Sequence, residues 1–382
     1  MVRKSAIAGI IVVVCLATFI LSFLSCAKKE VKYIKIGVVV FLTGDAAQYG
    51  KWVKNGLEIA KEEINQGGGI NGEQIKLIYE DDQTSSKMAV SAINKLINVD
   101  KVPVIIGGVT SSSFLAMAPI AELKKVVLFS PCSSSPDITK TGDYIFRNWP
   151  SDTFEGKSMA EFAYKRLGVR TCSILAINND YGVGVKNVFQ KELGALGGKI
   201  LSDETFDQGK TDFRNQILKL KNLNPQTIYM PGHAREVAHI IKQMKELNFN
   251  SIILGSVTFE SPEIFEIAGS SAEGAFYTAP SFDPNSEDTL VRSFQERYYK
   301  LYGEKAEVFA AHAYDALKLI VFSIEKGGYV SDGIKNALYS IKNYPGVSGM
   351  TSFDENGDVN KPSIIKTVKG NKFVIYRGKD AE

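Results

Sequence analysis

The sequence predicts an α/β fold made of two similar halves, each built around a parallel sheet. Short apolar runs typical of buried strands alternate along the chain with amphipathic segments typical of helices. Turns rich in glycine or hydroxyl residues follow several of these strands. The alternation restarts near residues 148–150, and a chain of 382 residues is long enough for two domains with separate cores.

The first half contains four predicted strands and three predicted helices. Apolar runs place the strands at residues 35–41, 75–79, 102–106 and 126–130. Apolar residues at helical spacing place the helices at residues 51–65, 86–98 and 114–118. Three glycines at 67–69 end the first helix, because glycine readily adopts the backbone conformation that closes a helix.

The second half repeats the same alternation. Helices are predicted at residues 153–167, 185–195 and 235–247, and strands at residues 172–177, 228–230 and 251–254. Near residues 279–283 the chain is expected to return to the first half, where the helix predicted at 310–326 belongs. The sequence therefore predicts that both halves contain non-contiguous parts of the chain.

An acidic segment from Asp354 to Asp358 superficially resembles a calcium-binding loop. Gly357 comes too early for such a loop, and Ile365 stands at the twelfth position, where a bidentate glutamate is required. We therefore predict a hairpin turn here, followed by a strand at residues 364–368. No metal is expected at this segment.

Composition gives no electrostatic reason to expect nucleic acid or an acidic membrane surface as a partner. The formal net charge is +3, and Arg3 and Lys4 lie in a segment that we expect to be removed, so 3 − 2 leaves +1. An apolar content of 45% and a charged content of 23% are ordinary for a globular protein.

The N-terminus carries a targeting signal. Arg3 and Lys4 precede an uncharged apolar run at residues 6–24, and Ser25 comes directly before Cys26. This pattern predicts a lipoprotein signal peptide at residues 1–25, with Cys26 lipidated as the first mature residue and residues 26–32 as a linker. An uncleaved membrane anchor is the alternative. Both interpretations place the folded part outside the cytoplasm, at a bacterial membrane in the periplasm or on the cell surface.

Two of the four cysteines remain for the folded part, since Cys15 and Cys26 belong to the N-terminal segment. Cys132 and Cys172 fall at the ends of different predicted strands. We expect both to be free thiols.

The most informative turn follows the strand at 102–106. Gly107 and Gly108 make the turn, and residues 110–113 (Thr-Ser-Ser-Ser) come at the start of a helix. The backbone N–H groups of a helix N-terminus lack partners, and the helix dipole favours an anion there. A similar run, Pro-Cys-Ser-Ser-Ser at 131–135, follows the next strand. The two turns suggest a site for a small carboxylate, while a simple helix cap is the alternative.

Motifs of common enzyme classes are missing from the sequence. It contains no phosphate-binding loop of the Gly-x-x-x-x-Gly-Lys type, no Gly-x-Ser-x-Gly and no His-Glu-x-x-His. His233 and His239 are six residues apart and would not share a helix face as metal ligands do. Adjacent Asp81 and Asp82 are typical of a solvated strand end. We expect no catalytic residues, no metal and no cofactor.

Several segments together resemble the leucine/isoleucine/valine-type solute-binding proteins of ABC importers, which have the first type of periplasmic binding protein fold. The resemblance extends from residue 32 to about 377. It rests on the order and spacing of residues 44–50, 64–72, 81–82, 110–113, 131–135, 180–182, 272–274 and 313–316.

The resemblance implies two doubly wound lobes with a ligand cleft between them and three crossovers, near Pro150, Pro280 and Phe353. Lobe 1 would comprise residues 33–150 plus 281–352, and lobe 2 residues 151–280 plus 353–378. A monomer would capture an amino acid or related small carboxylate and deliver it to an ABC permease of the inner membrane. A ligand-sensing receptor domain with the same cleft, not coupled to transport, is the alternative.

The resemblance also implies which residues bind the ligand. Ser111, the Cys132 backbone and Ser134, with their neighbours Thr110 and Ser133, would hold the α-carboxylate. Tyr49 would close over the ligand from lobe 1 and Tyr181 from lobe 2. Two further positions, Val109 and Phe309, would line the side-chain pocket.

Three positions depart from the pattern of that family. Thr84 and Thr110 stand where some relatives have a cysteine pair, and His233 replaces an aromatic residue. Val257 stands near the position where amino-acid binders place an acidic residue for the ligand's ammonium group. Either Glu260 swings in from the same loop, or the ligand has no amine, as in a keto acid or an aromatic carboxylate. We therefore expect a protein that differs from an ordinary branched-chain amino acid receptor.

Overall fold

The computed structural model describes residues 32–44 and 46–378 of the chain. The predicted signal peptide, the lipidation site Cys26 and most of the linker lie outside these residues. No helix within the described part is both long enough and apolar enough to cross a membrane.

A five-stranded sheet forms the centre of lobe 1, in the order β2-β1-β3-β4-β5. Its strands are β1 (Tyr33–Val40), β2 (Gln74–Asp81), β3 (Val104–Gly107), β4 (Val127–Ser130) and β5 (Ile145–Arg147). β3 pairs in parallel with β1 and β4, and β4 with β5. All of β3 and β4 is buried, which explains their continuous apolar sequences, since such strands are covered by helices on both faces.

Six helices surround this sheet, three from the first part of the chain and three from a later part. They are α1 (Ala47–Gln66), α2 (Ser86–Lys95), α3 (Ser111–Lys124), α8 (Thr289–Tyr302), α9 (Val308–Gly327) and α10 (Ser331–Ser340). α1 and α9 pack so closely that a Cβ atom added to Gly56 would lie 2.1 Å from the carbonyl oxygen of Ala310. A glycine is therefore required at this crossing of two long helices.

A seven-stranded sheet forms the centre of lobe 2, in the order β12-β11-β10-β9-β8-β6-β7. Its strands are β6 (Thr171–Ile177), β7 (Lys199–Phe206), β8 (Thr227–Tyr229), β9 (Ile252–Gly255), β10 (Phe276–Pro280), β11 (Ser363–Val368) and β12 (Phe373–Ile375). The covering helices are α4 (Asp152–Glu161), α5 (Asp180–Ala195), α6 (Arg214–Leu223) and α7 (Ala234–Glu246). The prediction of a purely parallel sheet is wrong at one edge, because β11 pairs antiparallel with β10 and with β12.

The chain crosses between the lobes three times, in residues 148–151, 281–288 and 341–362. The Arg147 guanidinium joins the first and third crossings. Its Nε and one terminal nitrogen donate to the Asp358 carboxylate at 2.6 and 2.8 Å, and its other nitrogen donates to the Ser135 carbonyl at 2.8 Å. Asn148 donates its amide to the His312 carbonyl at 2.8 Å. These contacts fix the first crossover against lobe 1.

Two helices begin earlier than the sequence predicted, because side chains cap them. α3 begins at Ser111 rather than 114, since Thr110 accepts the Ser113 N–H at 3.2 Å. α5 begins at Asp180 rather than 185, since Asn179 accepts the Gly182 N–H at 2.9 Å. The glycines near the start of α5 have low helix propensity, so the sequence pattern did not indicate where this helix begins.

Seven of these strands and helices were not predicted: β5, β7, α6, β10, α8, α10 and β12. They are short or carry many charged residues, so their apolar pattern is weak; β7, at the edge of its sheet, has one buried residue. The prediction of two free thiols is confirmed, since Cys132 and Cys172 are both buried and unbonded to another sulfur.

Candidate functional site

A cavity of about 40 Å³ lies between the lobes and contains most of the predicted site residues. Ten of the twelve predicted ligand-binding residues line it: Tyr49, Val109, Thr110, Ser111, Cys132, Ser134, Tyr181, His233, Val257 and Phe309. Three residues that the sequence did not indicate, Phe41, Trp149 and Thr258, complete the wall. Ser133 and Glu260 are not part of it.

The lobe 1 wall begins with the turn after β3. Gly108 has a φ of 67°, and a Cβ atom there would lie 2.7 Å from the Phe114 side chain, so the turn needs glycine. Thr110 caps the N-terminus of α3, so the helix cap that the sequence offered as an alternative to a carboxylate site is present. Thr110 supplies acceptors for the N–H groups of Ser113 and Phe114. The geometry of a helix start then leaves the N–H groups of Ser111 and Ser112 without an intrahelical acceptor, beside the cavity.

The two serine turns are joined to each other by hydrogen bonds. The Ser111 hydroxyl accepts the N–H groups of Ser134 at 3.3 Å and Ser135 at 3.1 Å. Because its oxygen accepts both bonds, the hydroxyl proton of Ser111 remains for a further acceptor. Ser130 accepts the N–H groups of Cys132 and Ser133, at 3.2 and 2.8 Å. The lobe 1 wall is thus a preorganised set of donors.

Ser133, predicted with its neighbours to hold the carboxylate, does not line the cavity. Its hydroxyl points back toward the first turn and donates to the Gly108 carbonyl, which also accepts a bond from Ser130 at 3.0 Å. Ser133 therefore braces the two turns against each other and is absent from the cavity wall.

Aromatic side chains cover the cavity from lobe 1. The Tyr49 hydroxyl donates to the Thr258 carbonyl at 2.8 Å and accepts the Ala234 N–H at 3.2 Å, so it connects α1 directly to lobe 2. Burial raises the Tyr49 pKa, which keeps this hydroxyl neutral and able to donate. The Phe309 ring lies 5.1 Å from the Tyr49 ring and 5.0 Å from the Trp149 ring, centroid to centroid.

Lobe 2 contributes Tyr181 and the loops after β8 and β9. The Tyr181 hydroxyl donates to Ser256 Oγ at 2.5 Å, and that oxygen lies 3.2 Å from Thr258 Oγ1. The Asp180 N–H donates to Ser112 Oγ at 3.2 Å, which is a further direct bond between the lobes. His233 is buried at the start of α7, with its ring centroid 6.2 Å from that of Tyr49.

Glu260, which the sequence offered as a partner for the ligand's ammonium group, has other partners in this structure. Its Oε2 accepts Lys366 Nζ at 2.6 Å and the Tyr277 hydroxyl at 3.0 Å. Glu260 lines a second cavity, of about 220 Å³, together with Trp52 and Glu307. Because Lys366 already neutralises it, Glu260 is not a free counter-charge for a ligand. Val257 does line the main cavity, and its backbone N–H donates to Glu155 Oε1 at 3.1 Å.

Sequence reasoning missed two buried carboxyl groups behind this wall, Asp152 and Glu155. Both residues lie in the first turn of α4, directly after the first crossover, and they are 0% and 5% exposed. Acidic residues in a first helical turn are ordinary on a surface. The helical spacing of Glu155 with Met159 and Ala160, both fully buried, places it on the apolar face and is the signal that indicates burial.

Burial raises the pKa of both carboxyl groups. The Asp152 pKa is raised well above its ordinary value, first by burial and then by the Glu155 charge. Burial raises the Glu155 pKa to about 7, although bonds from the Thr278 hydroxyl and the Val257 N–H favour its charged form. The pair therefore holds a proton at neutral pH, since two adjacent buried carboxylates do not both ionise.

Within the described part of the chain, no cluster of three or more histidine, cysteine or acidic side chains has the arrangement of a metal site. The hydroxyl donors, aromatic walls and buried acids of the cleft are suited to hold a small zwitterion or carboxylate.

Comparisons with known proteins agree with this architecture. The sequence model of a family described as periplasmic binding protein matches residues 33–372. A leucine-, isoleucine-, valine-, threonine- and alanine-binding protein of Pseudomonas aeruginosa is 31% identical over 331 residues, which is 85% of this chain and 87% of that protein. A leucine-binding protein from Thermotoga maritima has a TM-score of 0.86 at 32% identity, covering 91% of this chain and 100% of that one.

A second solved structure is that of a branched-chain amino acid transporter substrate-binding protein from Streptococcus pneumoniae in complex with isoleucine. It has a TM-score of 0.83 at 30% identity, and the match covers 90% of this chain and 98% of the other. The two-lobed α/β fold predicted from the sequence is thereby confirmed.

Proposed function

Because the chain belongs to the periplasmic binding protein family, in its branched-chain amino acid branch, we propose that it captures a small amino acid through the α-carboxylate and delivers it to an ABC permease. The family consists of solute-binding proteins rather than enzymes, so the prediction of a non-enzymatic protein is confirmed. Its solved relative from Streptococcus pneumoniae carries isoleucine, which supports an amino acid as the ligand class here.

The observation that carries this proposal is the meeting of two serine turns at the start of α3. The Ser111 hydroxyl proton and the N–H groups of Ser111 and Ser112 converge beside the cavity, where the helix dipole also favours an anion. Each charge-assisted hydrogen bond contributes about 1.5–3 kcal/mol, and micromolar binding requires about 8 kcal/mol. A few such bonds therefore supply much of the required affinity.

The ligand side chain would lie among Val109, Trp149 and Phe309. These groups supply apolar surface to the cavity wall, so they favour an aliphatic side chain. Tyr49 and Tyr181 would close over the ligand from opposite lobes. A ligand that contacts both lobes binds the closed form better and shifts the population toward it. The lobe boundaries at residues 150, 280 and 352 are the natural hinges for this motion.

The location of the protein is also part of the proposal. The N-terminal signal would direct the chain out of the cytoplasm, and a lipid on Cys26 would hold it at the membrane beside an inner-membrane permease. A Cys26→Ser precursor should stay unacylated and leave the detergent phase in a partitioning assay. Unchanged partitioning with an intact N-terminus would instead support a plain membrane anchor.

A thermal-shift screen of the full chain tests solute capture. The compounds are L-leucine, L-isoleucine, L-valine, L-threonine, L-alanine, 4-methyl-2-oxopentanoate and benzoate. A compound present at 100 times its dissociation constant should stabilise the folded state by about 2.7 kcal/mol and raise Tm accordingly. Ser111→Ala should reduce that rise. No rise with any of the seven compounds would contradict the proposal.

A further inference from the structure

We propose that Asp152 and Glu155 supply the negative charge that receives the ligand's ammonium group, and that ammonium binding expels the proton shared by these two carboxyl groups. This inference rests on the proposed function, since it concerns the same cleft. Val257 has no side-chain acceptor for an amine, so another group must receive the ammonium.

The position of the pair supports this role. The Asp152 N–H donates to the Ser134 carbonyl at 2.8 Å, and Glu155 Oε1 accepts the Val257 N–H at 3.1 Å. Ser134 and Val257 both line the cavity. The Asp152 backbone and the Glu155 carboxyl group therefore contact residues of the cavity wall, Ser134 from lobe 1 and Val257 from lobe 2.

The bonding state of Asp152 provides a second, independent observation. Both of its carboxylate oxygens are buried and have no hydrogen-bond partner among the described residues. The Ser134 side chain lowers its pKa in part, whereas the charge of the neighbouring Glu155 raises it. A buried carboxyl group of this kind ionises readily only beside a positive charge, so Asp152 is suited to receive a cation brought by a ligand.

Among residues 32–44 and 46–378, no cation forms an ion pair with Asp152 or Glu155. The charge of Arg147 lowers the Asp152 pKa in part, but its guanidinium is bonded to Asp358. On the neighbouring helix α5, Lys186 is paired with Asp203, and on the neighbouring strand β11, Lys366 is paired with Glu260. The remaining groups that face the carboxyls, the Tyr181 and Tyr229 hydroxyls, have raised pKa values and stay neutral.

The binding step balances in charge and protons. Before binding, the pair holds one proton and one negative charge. An ammonium group beside it favours the doubly ionised state, so the shared proton leaves to solvent and the ammonium keeps its own protons. Binding of an amino acid should therefore release protons, and binding of a keto acid should not.

Calorimetry of the full chain in buffers of different ionisation enthalpy measures this release. Titrations with L-leucine at about pH 7.5 should show net proton release, and the apparent affinity should rise with pH, by no more than tenfold per unit. The sign follows from the raised pKa values of both carboxyl groups, because protons compete with the ammonium for the pair. The amine-free 4-methyl-2-oxopentanoate should show neither effect.

Asp152→Asn removes one of the two ionisable groups with little change in shape. Leucine affinity should fall by about 10- to 100-fold and proton release should vanish, while 4-methyl-2-oxopentanoate should bind within about twofold of wild type. Retained keto acid binding also shows that the variant is folded. The matched control is Glu260→Gln, which removes a carboxylate already paired with Lys366 and should leave both leucine measures unchanged.

Each outcome separates the two proposals. If the keto acid binds and leucine does not, solute capture stands and the ammonium site is refuted. Leucine binding without proton release, or equal loss of both compounds in Asp152→Asn, would also overturn the ammonium site. Loss of proton release in Glu260→Gln alone would assign the role to that residue. If neither compound binds, the proposed function fails first, and this inference falls with it.

Discussion

The two walls of the cleft are stabilised in opposite ways. The lobe 1 wall is a closed network in which Ser130, Ser133 and Thr110 satisfy the turn backbone, and Ser111 joins both turns. The lobe 2 wall rests on two buried acids, one of which has no partner within the described structure. The first wall is therefore organised before a ligand arrives, whereas the second is left with a charge to be satisfied.

This difference indicates a division of labour. Preorganised donors suit the carboxylate end of a ligand, because they need no rearrangement on binding. An under-satisfied acid pair suits the ammonium end, because binding relieves an existing cost. Stability should therefore depend most on the lobe 1 wall, and ligand selectivity and pH dependence on the lobe 2 wall.

The largest effect is expected from Gly108→Ala in the lobe 1 turn. An alanine at this position would have to keep the positive φ of Gly108, which is unfavourable for a residue with a side chain. Its Cβ atom would also lie 2.7 Å from Phe114, which is buried and cannot move freely. We expect a loss of about 2–4 kcal/mol in the free energy of unfolding, measured by urea titration. Gly168→Ala also has positive φ but no atom within 4 Å, and serves as the control for backbone strain alone. Equal losses in both variants would show that packing at Gly108 is unimportant.

The next effect concerns the pH dependence set by the lobe 2 wall. The folded-state pKa of Glu155, about 7, lies above the ordinary value of 4.5, so the folded state binds the proton more tightly than the unfolded state. The associated stability is present below about pH 4.5 and is lost as pH rises through about 7, a change on the order of 3 kcal/mol. Glu155→Gln should flatten this part of the stability curve. An unchanged pH profile in the variant would contradict the assignment.

A smaller loss of stability, with a clear loss of binding, is expected for Ser111→Ala. The substitution leaves the N–H groups of Ser134 and Ser135 without their acceptor, which costs about 1–3 kcal/mol. Leucine affinity should fall roughly tenfold or more, because a donor to the carboxylate is lost. Ser133→Ala is the matched control: it removes a neighbouring hydroxyl that braces the turn but does not line the cavity. Similar binding losses in both variants would contradict direct contact by Ser111.

The smallest effect is expected for Tyr49→Phe, which removes two hydrogen bonds between the lobes and keeps the ring. Loss of the bonds to Thr258 and Ala234 should weaken closure by about 1 kcal/mol. Small-angle scattering of the ligand-free chain should show a larger radius of gyration than wild type, and saturating L-leucine should reduce the difference. Identical scattering curves would indicate that these bonds do not hold the lobes closed.

The lobe 1 wall could be predicted from the sequence because its chemistry is local. Strand, glycine turn and hydroxyl run follow one another at residues 102–113, and the pattern repeats at 126–135. Helical spacing with Met159 and Ala160 indicates that Glu155 is buried, but its partners Thr278 and Val257 lie more than 100 residues away and could not be predicted. The ion pair of Glu260 could not be predicted for the same reason, since Lys366 is distant in sequence.

The strands and helices also differ in how well the sequence predicts them. Buried strands such as β3 and β4 could be predicted from their continuous apolar runs. Edge strand β7 and the charged helix α6 are stabilised by tertiary contacts, such as the bond from Gln216 to the Thr205 carbonyl at 3.1 Å, and their sequences carry little pattern.

The most direct test of the central claim compares how the two walls affect two ligands that differ only in the amine. Dissociation constants of L-leucine and 4-methyl-2-oxopentanoate are measured by calorimetry for wild type, Ser111→Ala and Asp152→Asn. The account predicts that Ser111→Ala weakens both compounds by a similar factor, about tenfold, whereas Asp152→Asn weakens leucine alone. Asp152→Asn weakening both compounds equally, or Ser111→Ala weakening neither, would contradict the division of labour between the two walls.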